Sequence, residues 1–161
     1  MREILNFNRK WAFTKMAEDL PGAVSSRWNF VNLPHSWNAI DGQDGDNDYY
    51  RGQGYYAKYI DKAELPEADR YYLEIKGANS SADVYLDGEK LAHHDGGYST
   101  WRVDLTEKLK AKSLLVIVVD NTANDKVYPQ MADFTFYGGL YRDVNIICTS
   151  ESHFDLDYYG G

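Results

Sequence analysis

The most regular feature of the chain is an alternation of apolar and polar residues with a period of two. Residues 71–76 read YYLEIK and residues 82–87 read ADVYLD, so that an apolar side chain recurs at every second position. Similar alternation occurs at residues 55–60 and 142–148. Because successive side chains of an extended strand point to opposite faces, these segments predict half-buried β-strands.

The segments between and beside these runs complete the pattern of an all-β fold. Residues 113–120 (SLLVIVVD) are apolar almost throughout, which is typical of a central strand covered on both faces. Asp87-Gly88 predicts a tight two-residue hairpin. Helical pattern is scarce, and the best candidate is one turn at residues 106–110, capped by Asp104 or Thr106. Short strands separated by turn residues predict an antiparallel β-sandwich or jelly roll.

The length of 161 residues gives room for one ordinary domain. Residues 154–159 (FDLDYY) alternate like another strand, and Gly160-Gly161 follow. We therefore expect a sandwich domain at residues 1–152, and the truncated start of a following domain at residues 153–161.

The charge balance argues against two classes of partner. With 17 Lys and Arg against 25 Asp and Glu, the formal net charge is −8. No basic run is present to neutralise phosphates, so neither nucleic acid nor an acidic membrane surface is expected as a partner. No membrane-spanning run or signal peptide is evident. The single cysteine, Cys148, is expected in the core, which leaves a cytoplasmic, periplasmic or secreted location open.

Six short motifs follow one another along the chain. They are LNFNRKWAF (5–13), VNLPHSWN (31–38), YYRGQGYY (49–56), the combination of GAN, VYLDG and HDGGY (77–98), VVDN (118–121) and DFTFYGGLYRDV (133–144). Their order resembles that of the N-terminal sugar-binding domain of glycoside hydrolase family 2, which includes β-galactosidases, β-glucuronidases and β-mannosidases. The resemblance covers nearly the whole chain and implies a jelly roll of the galactose-binding-domain type.

The resemblance also implies where the chemistry of the parent enzyme lies. Retaining glycosidases use two carboxylates about 5–5.5 Å apart, and in this family both are glutamates of a later barrel domain. No catalytic residue is therefore predicted within this chain. The implied partners are the catalytic barrel, an immunoglobulin-like domain whose first strand the last residues resemble, and a terminal β-galactoside or related sugar. Within the family, the run YGGLYRDV (137–144) resembles β-galactosidases most.

Two residues are candidate sugar contacts. The Asp that matches Asp133 in the family's β-galactosidases reaches into the barrel's pocket, hydrogen-bonds a sugar hydroxyl and can help to hold a sodium ion. No other cofactor is implied. A carboxylate suits both tasks, although a turn-capping role is the alternative for Asp133. Arg51 is nearest to the position where the family places an asparagine, and it could instead pair with a neighbouring carboxylate.

Several other residues of the motifs are expected to have structural roles. Trp37 is predicted to anchor the core or a loop, His35 to fix its turn by hydrogen bonding, and Arg142 to pair with a carboxylate or backbone carbonyl. The adjacent His93 and His94 should point apart on a strand, which is poor geometry for a metal site.

Other functions remain open at this point. The chain could be a free carbohydrate-binding module, or a pure interaction domain whose sugar contacts are incidental. A parent of the β-glucuronidase or β-mannosidase type is the alternative to a β-galactosidase, because a fold does not determine a substrate.

We predict that these 161 residues alone have no glycosidase activity, because the expected pair of glutamates lies in another domain. Incubation of the purified chain with a chromogenic β-galactoside should give no release of the chromophore above the rate in buffer. Clear turnover that scales with protein concentration would contradict the prediction.

Overall fold

The computed structural model describes residues 2–15, 17, 19–39, 41, 49–129 and 135–158, which form ten β-strands and a short 3₁₀ turn at Lys62–Glu64. The strands are β1 (Glu3–Asn6), β2 (Trp11–Thr14), β3 (Asn29–Val31), β4 (Gln53–Asp61), β5 (Arg70–Ile75), β6 (Ser81–Leu86), β7 (Glu89–Asp95), β8 (Trp101–Asp104), β9 (Lys112–Asp120) and β10 (Val144–Thr149). Over the described ranges, no helix is long and apolar enough to cross a membrane.

The strands form two antiparallel sheets. One sheet has four strands in the order β1-β10-β5-β8, and the other has six in the order β3-β2-β4-β9-β6-β7. Neighbouring strands are antiparallel in every pairing, including the pairing of β1 with β10 from the two ends of the chain. The predicted all-β antiparallel sandwich is confirmed.

The core lies between the two sheets and contains the apolar side chains that the alternation predicts. Leu73 and Ile75 of β5 and Val84 of β6 are fully buried and belong to one cluster with Trp11 and Tyr56 of the other strands. Burial of one such side chain contributes about 1.5–3 kcal/mol. The shared cluster therefore holds the two sheets face to face.

Strand β9 is the central strand that the apolar run predicts. It lies between β4 and β6, and its side chains enter two different clusters. Leu115, Ile117 and Val119 face the main core, whereas Val116 and Val118 face a second cluster on the outer side of the sheet. Partly buried side chains of the segment between β2 and β3 cover that second cluster, namely Leu20, Val24 and Trp28.

The predicted turns also occur. Asp87 and Gly88 join β6 to β7 with φ angles of 50° and 85°, the left-handed values that a tight two-residue hairpin requires. One helical turn follows β8, because Leu109 donates its N–H to the carbonyl oxygen of Leu105 at 2.8 Å. Asp104 caps this turn.

The predicted strand at residues 154–159 is wrong over its described part, residues 154–158. Arg102, on the outer face of the four-stranded sheet, donates to the carbonyl oxygen of Leu156 at 2.6 Å and to the Asp157 carboxylate at 2.9 Å. The Asp155 side chain also accepts the N–H of Asp157 at 2.8 Å, a local turn that interrupts an extended backbone. The proposed boundary between residues 152 and 153 stays a prediction.

The two adjacent histidines of β7 point apart, as their alternation predicts. The two ring nitrogens of His93 lie 2.5 Å from Asp83 and 3.1 Å from Asp95, and Lys90 also pairs with Asp83 at 2.9 Å. The hydrogen bond with Asp83, supported by the one with Asp95, raises the pKa of His93 above its usual 6.5. Burial lowers the pKa of His94, which stacks on a tryptophan ring.

The two histidines should affect the pH dependence of stability in opposite directions. Native His93 holds its proton more tightly than the unfolded chain does, so its stabilisation is present below pH 6.5 and is lost as the pH rises through the raised pKa. Native His94 holds its proton less tightly, so stability is lost as the pH falls below 6.5. We expect His93→Gln to reduce the loss of unfolding free energy above pH 6.5. His94→Gln should reduce the loss of unfolding free energy below pH 6.5.

Urea unfolding at a series of pH values measures both effects. The change for His93→Gln should stay below about 1 kcal/mol, because the His93 pairs are exposed to solvent. Identical pH profiles of the two variants would contradict this account of the pair.

Candidate functional site

An open groove lies at one end of the six-stranded sheet, where three strands meet. Gln53, the first residue of β4, and Ser81, the first residue of β6, both stand opposite Asp120 at the end of β9. The connecting segments beyond these residues therefore converge. The groove has a volume of about 570 Å³ and is lined by Arg51, Ser80, Ser81, Asp120, Thr122, Ala123, Asn124, Asp125, Val127, Pro129 and Phe136.

Arg51, one of the two predicted sugar contacts, lies in the wall of this groove. Its Nε donates to the carbonyl oxygen of Asn121 at 2.8 Å. Its guanidinium carbon lies 5.3 Å from the ring centroid of Phe136 and 5.9 Å from that of Tyr49, within the range of cation–π attraction. No carboxylate of the described residues forms an ion pair with Arg51, so a backbone carbonyl and two aromatic rings hold it.

Asn121 is the polar centre of the site. Its side chain is fully buried, its Oδ1 accepts the N–H of Gly52 at 2.8 Å, and its Nδ2 donates to the carbonyl oxygens of Phe136 at 2.9 Å and Tyr50 at 3.2 Å. One amide therefore joins the segment before β4 to the segment before β10. A buried amide with its donors and acceptor satisfied fixes the groups around it, because any displacement leaves buried polar atoms unpaired.

Asn38 extends this network to a third segment. It is also fully buried, and its Oδ1 accepts the N–H of Gly138 at 2.7 Å and the Nδ2 of Asn121 at 3.3 Å. Its own Nδ2 donates to Asp41 at 2.8 Å and to the carbonyl oxygen of Tyr50 at 2.9 Å. The backbone N–H of Tyr50 also donates to Asp41, and this hydrogen bond lowers the pKa of the Asp41 carboxyl.

The residues expected to have structural roles do have them. Trp37 is only 6% exposed and packs in the core. His35 shares a 2.7 Å hydrogen bond with the buried Tyr56 hydroxyl, and burial lowers the pKa of His35. Arg142 donates to the carbonyl oxygen of Tyr98 at 3.0 Å. These three side chains help to hold the connecting segments in place.

Asp133, the other predicted sugar contact, lies in residues 130–134, outside the described residues. Pro129 and Phe136, on either side of that segment, both line the groove. Arg51 therefore lies in the same groove as the residues that flank the segment carrying Asp133. The predicted sodium ion depends on Asp133 and stays a prediction. Among the described residues, no three His, Cys, Asp or Glu side chains form a group that could hold a metal ion.

The sequence pattern does not identify Asn38 and Asn121 as the centre of the site. It includes Asn121 only as the end of the VVDN motif and assigns no role to Phe136. The position of Asn121 was one available signal. It directly follows the most apolar run of the chain, so burial of its side chain is to be expected, and a buried amide needs several hydrogen-bond partners. Those partners are far away in sequence, so no local pattern specifies them.

The network predicts a large loss of stability on Asn121→Ala. The substitution removes the side-chain acceptor of the Gly52 N–H and one donor each to the carbonyl oxygens of Phe136 and Tyr50, which should lower the free energy of unfolding by about 2–4 kcal/mol. Asn32→Ala is the matched control, since Asn32 is exposed and accepts only the backbone N–H of Lys10. Urea denaturation should show a loss of at most about 1 kcal/mol for the control. Equal losses in the two variants would show that the network does not hold the site together.

Comparison with known protein families and sequences gives consistent results. The family described as glycosyl hydrolase 2 galactose-binding domain-like matches residues 49–154. A β-glucuronidase of Bacteroides fragilis is 34% identical over 150 residues, which cover 84% of this chain and 22% of the relative. A β-galactosidase of Thermoanaerobacter pseudethanolicus is 28% identical over 168 residues, which cover 98% of this chain and 22% of the relative. The chain thus spans about a fifth of the length of the curated relatives it matches.

Solved structures share the fold over the whole chain. An FMN-binding β-glucuronidase from Faecalibacterium prausnitzii L2-6 matches with a TM-score of 0.86 at 40% identity, covering 100% of this chain and 24% of that one. A Bacteroides uniformis β-glucuronidase matches with the same TM-score at 31% identity, covering 100% of this chain and 20% of that one. The family match spans well over half of the sequence, and the two-sheet sandwich agrees with it. The chain therefore belongs to the galactose-binding-domain-like family of glycosyl hydrolase 2.

Proposed function

We propose that the chain is the non-catalytic sugar-binding domain of a retaining β-glycosidase and contributes one wall of that enzyme's active site. Family membership supports the enzyme class, and relatives over nearly the whole chain are named as β-glucuronidases and β-galactosidases. The two catalytic glutamates would then belong to the barrel domain of the parent protein. Sugar contacts, and not bond cleavage, are the contribution of these residues.

The groove beside Arg51 is the observation that carries this proposal. Ligand sites in proteins combine a concave surface, apolar walls and a few fixed polar groups. Val127, Pro129 and Phe136 supply the apolar wall, and Arg51 supplies a donor held by a buried network. Asp133 is proposed to complete the site from the segment that follows Pro129, by accepting a sugar hydroxyl and, in the complete enzyme, by helping to hold a sodium ion.

The substrate proposed is a terminal β-glycoside. A β-galactoside is favoured by the resemblance of residues 137–144, and a β-glucuronide by the names of several relatives. The catalytic barrel and an immunoglobulin-like domain are the proposed partners within the same chain. A free-standing carbohydrate-binding module is the competing function, and it differs in that the isolated chain would bind sugar well without a barrel.

The role of Asp133 can be tested in the full-length protein that carries this chain. Asp133→Ala removes a charge-assisted hydrogen bond, so kcat/KM for the preferred chromogenic β-glycoside should fall by roughly 10–150-fold through a higher KM or a lower kcat. Glu107→Ala is the control, because Glu107 is an exposed acidic residue near the end of β6 that is far from the groove. Unchanged kinetics of Asp133→Ala would reject the role of this residue. If the unaltered parent protein hydrolyses none of the β-glycosides, the proposed function is rejected as well.

A further inference from the structure

We propose that Arg102 is a positioning residue. It fastens residues 150–158 to the outer face of the four-stranded sheet and thereby sets how the sandwich sits against the catalytic domain of the parent enzyme. This inference rests on the proposed function and adds to it the surface through which the domains keep one arrangement. The starting observation is that residues 150–158 follow β10 and lie along the sheet without being a strand of it.

Arg102 holds two parts of the molecule at once. Its Nε donates to Oε2 of Glu74 at 2.9 Å, and one terminal nitrogen lies 2.6 Å from the same oxygen. The other terminal nitrogen donates to the carbonyl oxygen of Leu156 at 2.6 Å and to the carboxylate of Asp157 at 2.9 Å. A planar guanidinium with five N–H donors in a fixed geometry can serve partners on two sides. One side chain therefore attaches the segment to the sheet.

The sheet beneath the segment holds the Arg102 side chain in place. Asn145 of β10, Glu74 of β5 and Arg102 of β8 stand directly opposite one another on three neighbouring strands, and so on one face. Oε1 of Glu74 accepts from Nδ2 of Asn145 at 2.9 Å. The side chains of Glu74 and Arg102 are 5% and 16% exposed, so water competes little for these bonds. The guanidinium thus offers its remaining donors to the segment from a fixed position.

Two further contacts set the direction of the segment. Arg70 forms two hydrogen bonds to the Glu151 carboxylate, at 2.9 and 2.5 Å. The ring of Tyr72 packs edge-on against His153, with ring centroids 5.6 Å apart. Since Arg70 and Tyr72 are alternate residues of β5, these contacts lead the segment along one face of that strand. The Arg70 pair is exposed and stabilises little by itself, so Arg102 supplies the main attachment.

The same attachment determines which side chains the segment presents outward. Leu156 is only 8% exposed, whereas Phe154 and Tyr158 are 87% and 75% exposed. Aromatic side chains are enriched where one protein surface contacts another, and exposed ones mark such contacts. The outward side of the segment is therefore the contact surface for the domain that follows it in the parent chain.

Orientation matters because the proposed active site is shared between domains. The groove with Arg51 forms one wall of that site, and the catalytic glutamates would belong to the barrel. A displacement of about 1 Å can lower the rate of a reaction about 100-fold. Loss of the Arg102 attachment would leave the groove intact but would let this wall move relative to the glutamates.

Arg102→Lys in the full-length protein tests the attachment most selectively. Lysine keeps the positive charge beside Glu74, but its single nitrogen cannot also span to Leu156 and Asp157. Hydrogen exchange of the peptide that covers residues 150–158 should accelerate roughly tenfold or more, as expected for the loss of charged hydrogen bonds. The value of kcat/KM for the preferred chromogenic β-glycoside should fall at least about threefold, because part of the population is misplaced.

A double variant and a matched control complete the set. Glu74→Gln combined with Arg102→Gln removes the buried pair without leaving an unpaired charge, and should show larger effects of the same kind. Arg9→Gln removes the same charge from an exposed residue before β2, and should change neither the exchange nor the kinetics. Thermal melting verifies that each variant is folded. If one of the two Arg102 variants does not fold, the other carries the test.

Faster exchange confined to residues 150–158, together with the loss of kcat/KM, supports the proposal. Unchanged exchange of this segment overturns it, as does faster exchange that extends through β5, β8 and β10, because that result reports a general loss of stability. Faster exchange of the segment with unchanged kinetics also overturns it. Each of these results leaves the proposed function intact. If the unaltered protein hydrolyses no β-glycoside, the proposed function is rejected, and this inference with it.

Discussion

The hydrogen bonds of the buried Asn121 amide are the interaction on which the shape of the groove depends. This side chain joins the segment before β4, the end of β9 and the segment before β10, and Asn38 ties in a fourth piece of chain. The segments before β4 and before β10 lie outside the named strands at this point. Because unpaired buried polar groups are costly, the network gives the segments one preferred arrangement.

The sandwich supplies the rigid base for that network. Strand β9 is buried on both faces, so its last residues, Asp120 and the following Asn121, have little freedom to move. Tyr56 of the neighbouring β4 hydrogen-bonds to His35, which fixes the segment that leads to Asn38. The apolar core thus positions the amides, and the amides position Arg51. The proposed sugar contacts therefore lie on connecting segments whose geometry is set by the strands below them.

Sequence patterns predict the strands well because burial on one face of a strand imposes a local period of two. This is why β5 and β6 could be predicted, whereas the hairpin at Asp87-Gly88 follows from the left-handed backbone that these two residue types adopt readily. The same alternation misleads at residues 154–158. In a strand, Phe154 and Leu156 would share one face, but Leu156 is buried and Phe154 is exposed, because the segment lies on the outside of a sheet. The polar network escapes prediction for a different reason. Asn38 and Asn121 are 83 residues apart, and nothing in the neighbourhood of either one specifies the other.

The most direct test of the account is a crystal structure of the full-length protein with a glycoside-derived covalent inhibitor in its active site. The account predicts that the groove opens onto the bound sugar or its immediate neighbour, with an oxygen of the ligand within about 3.2 Å of a terminal nitrogen of Arg51. A structure in which the groove faces bulk solvent, with neither Arg51 nor Asp133 within hydrogen-bonding distance of any ligand atom, would contradict it.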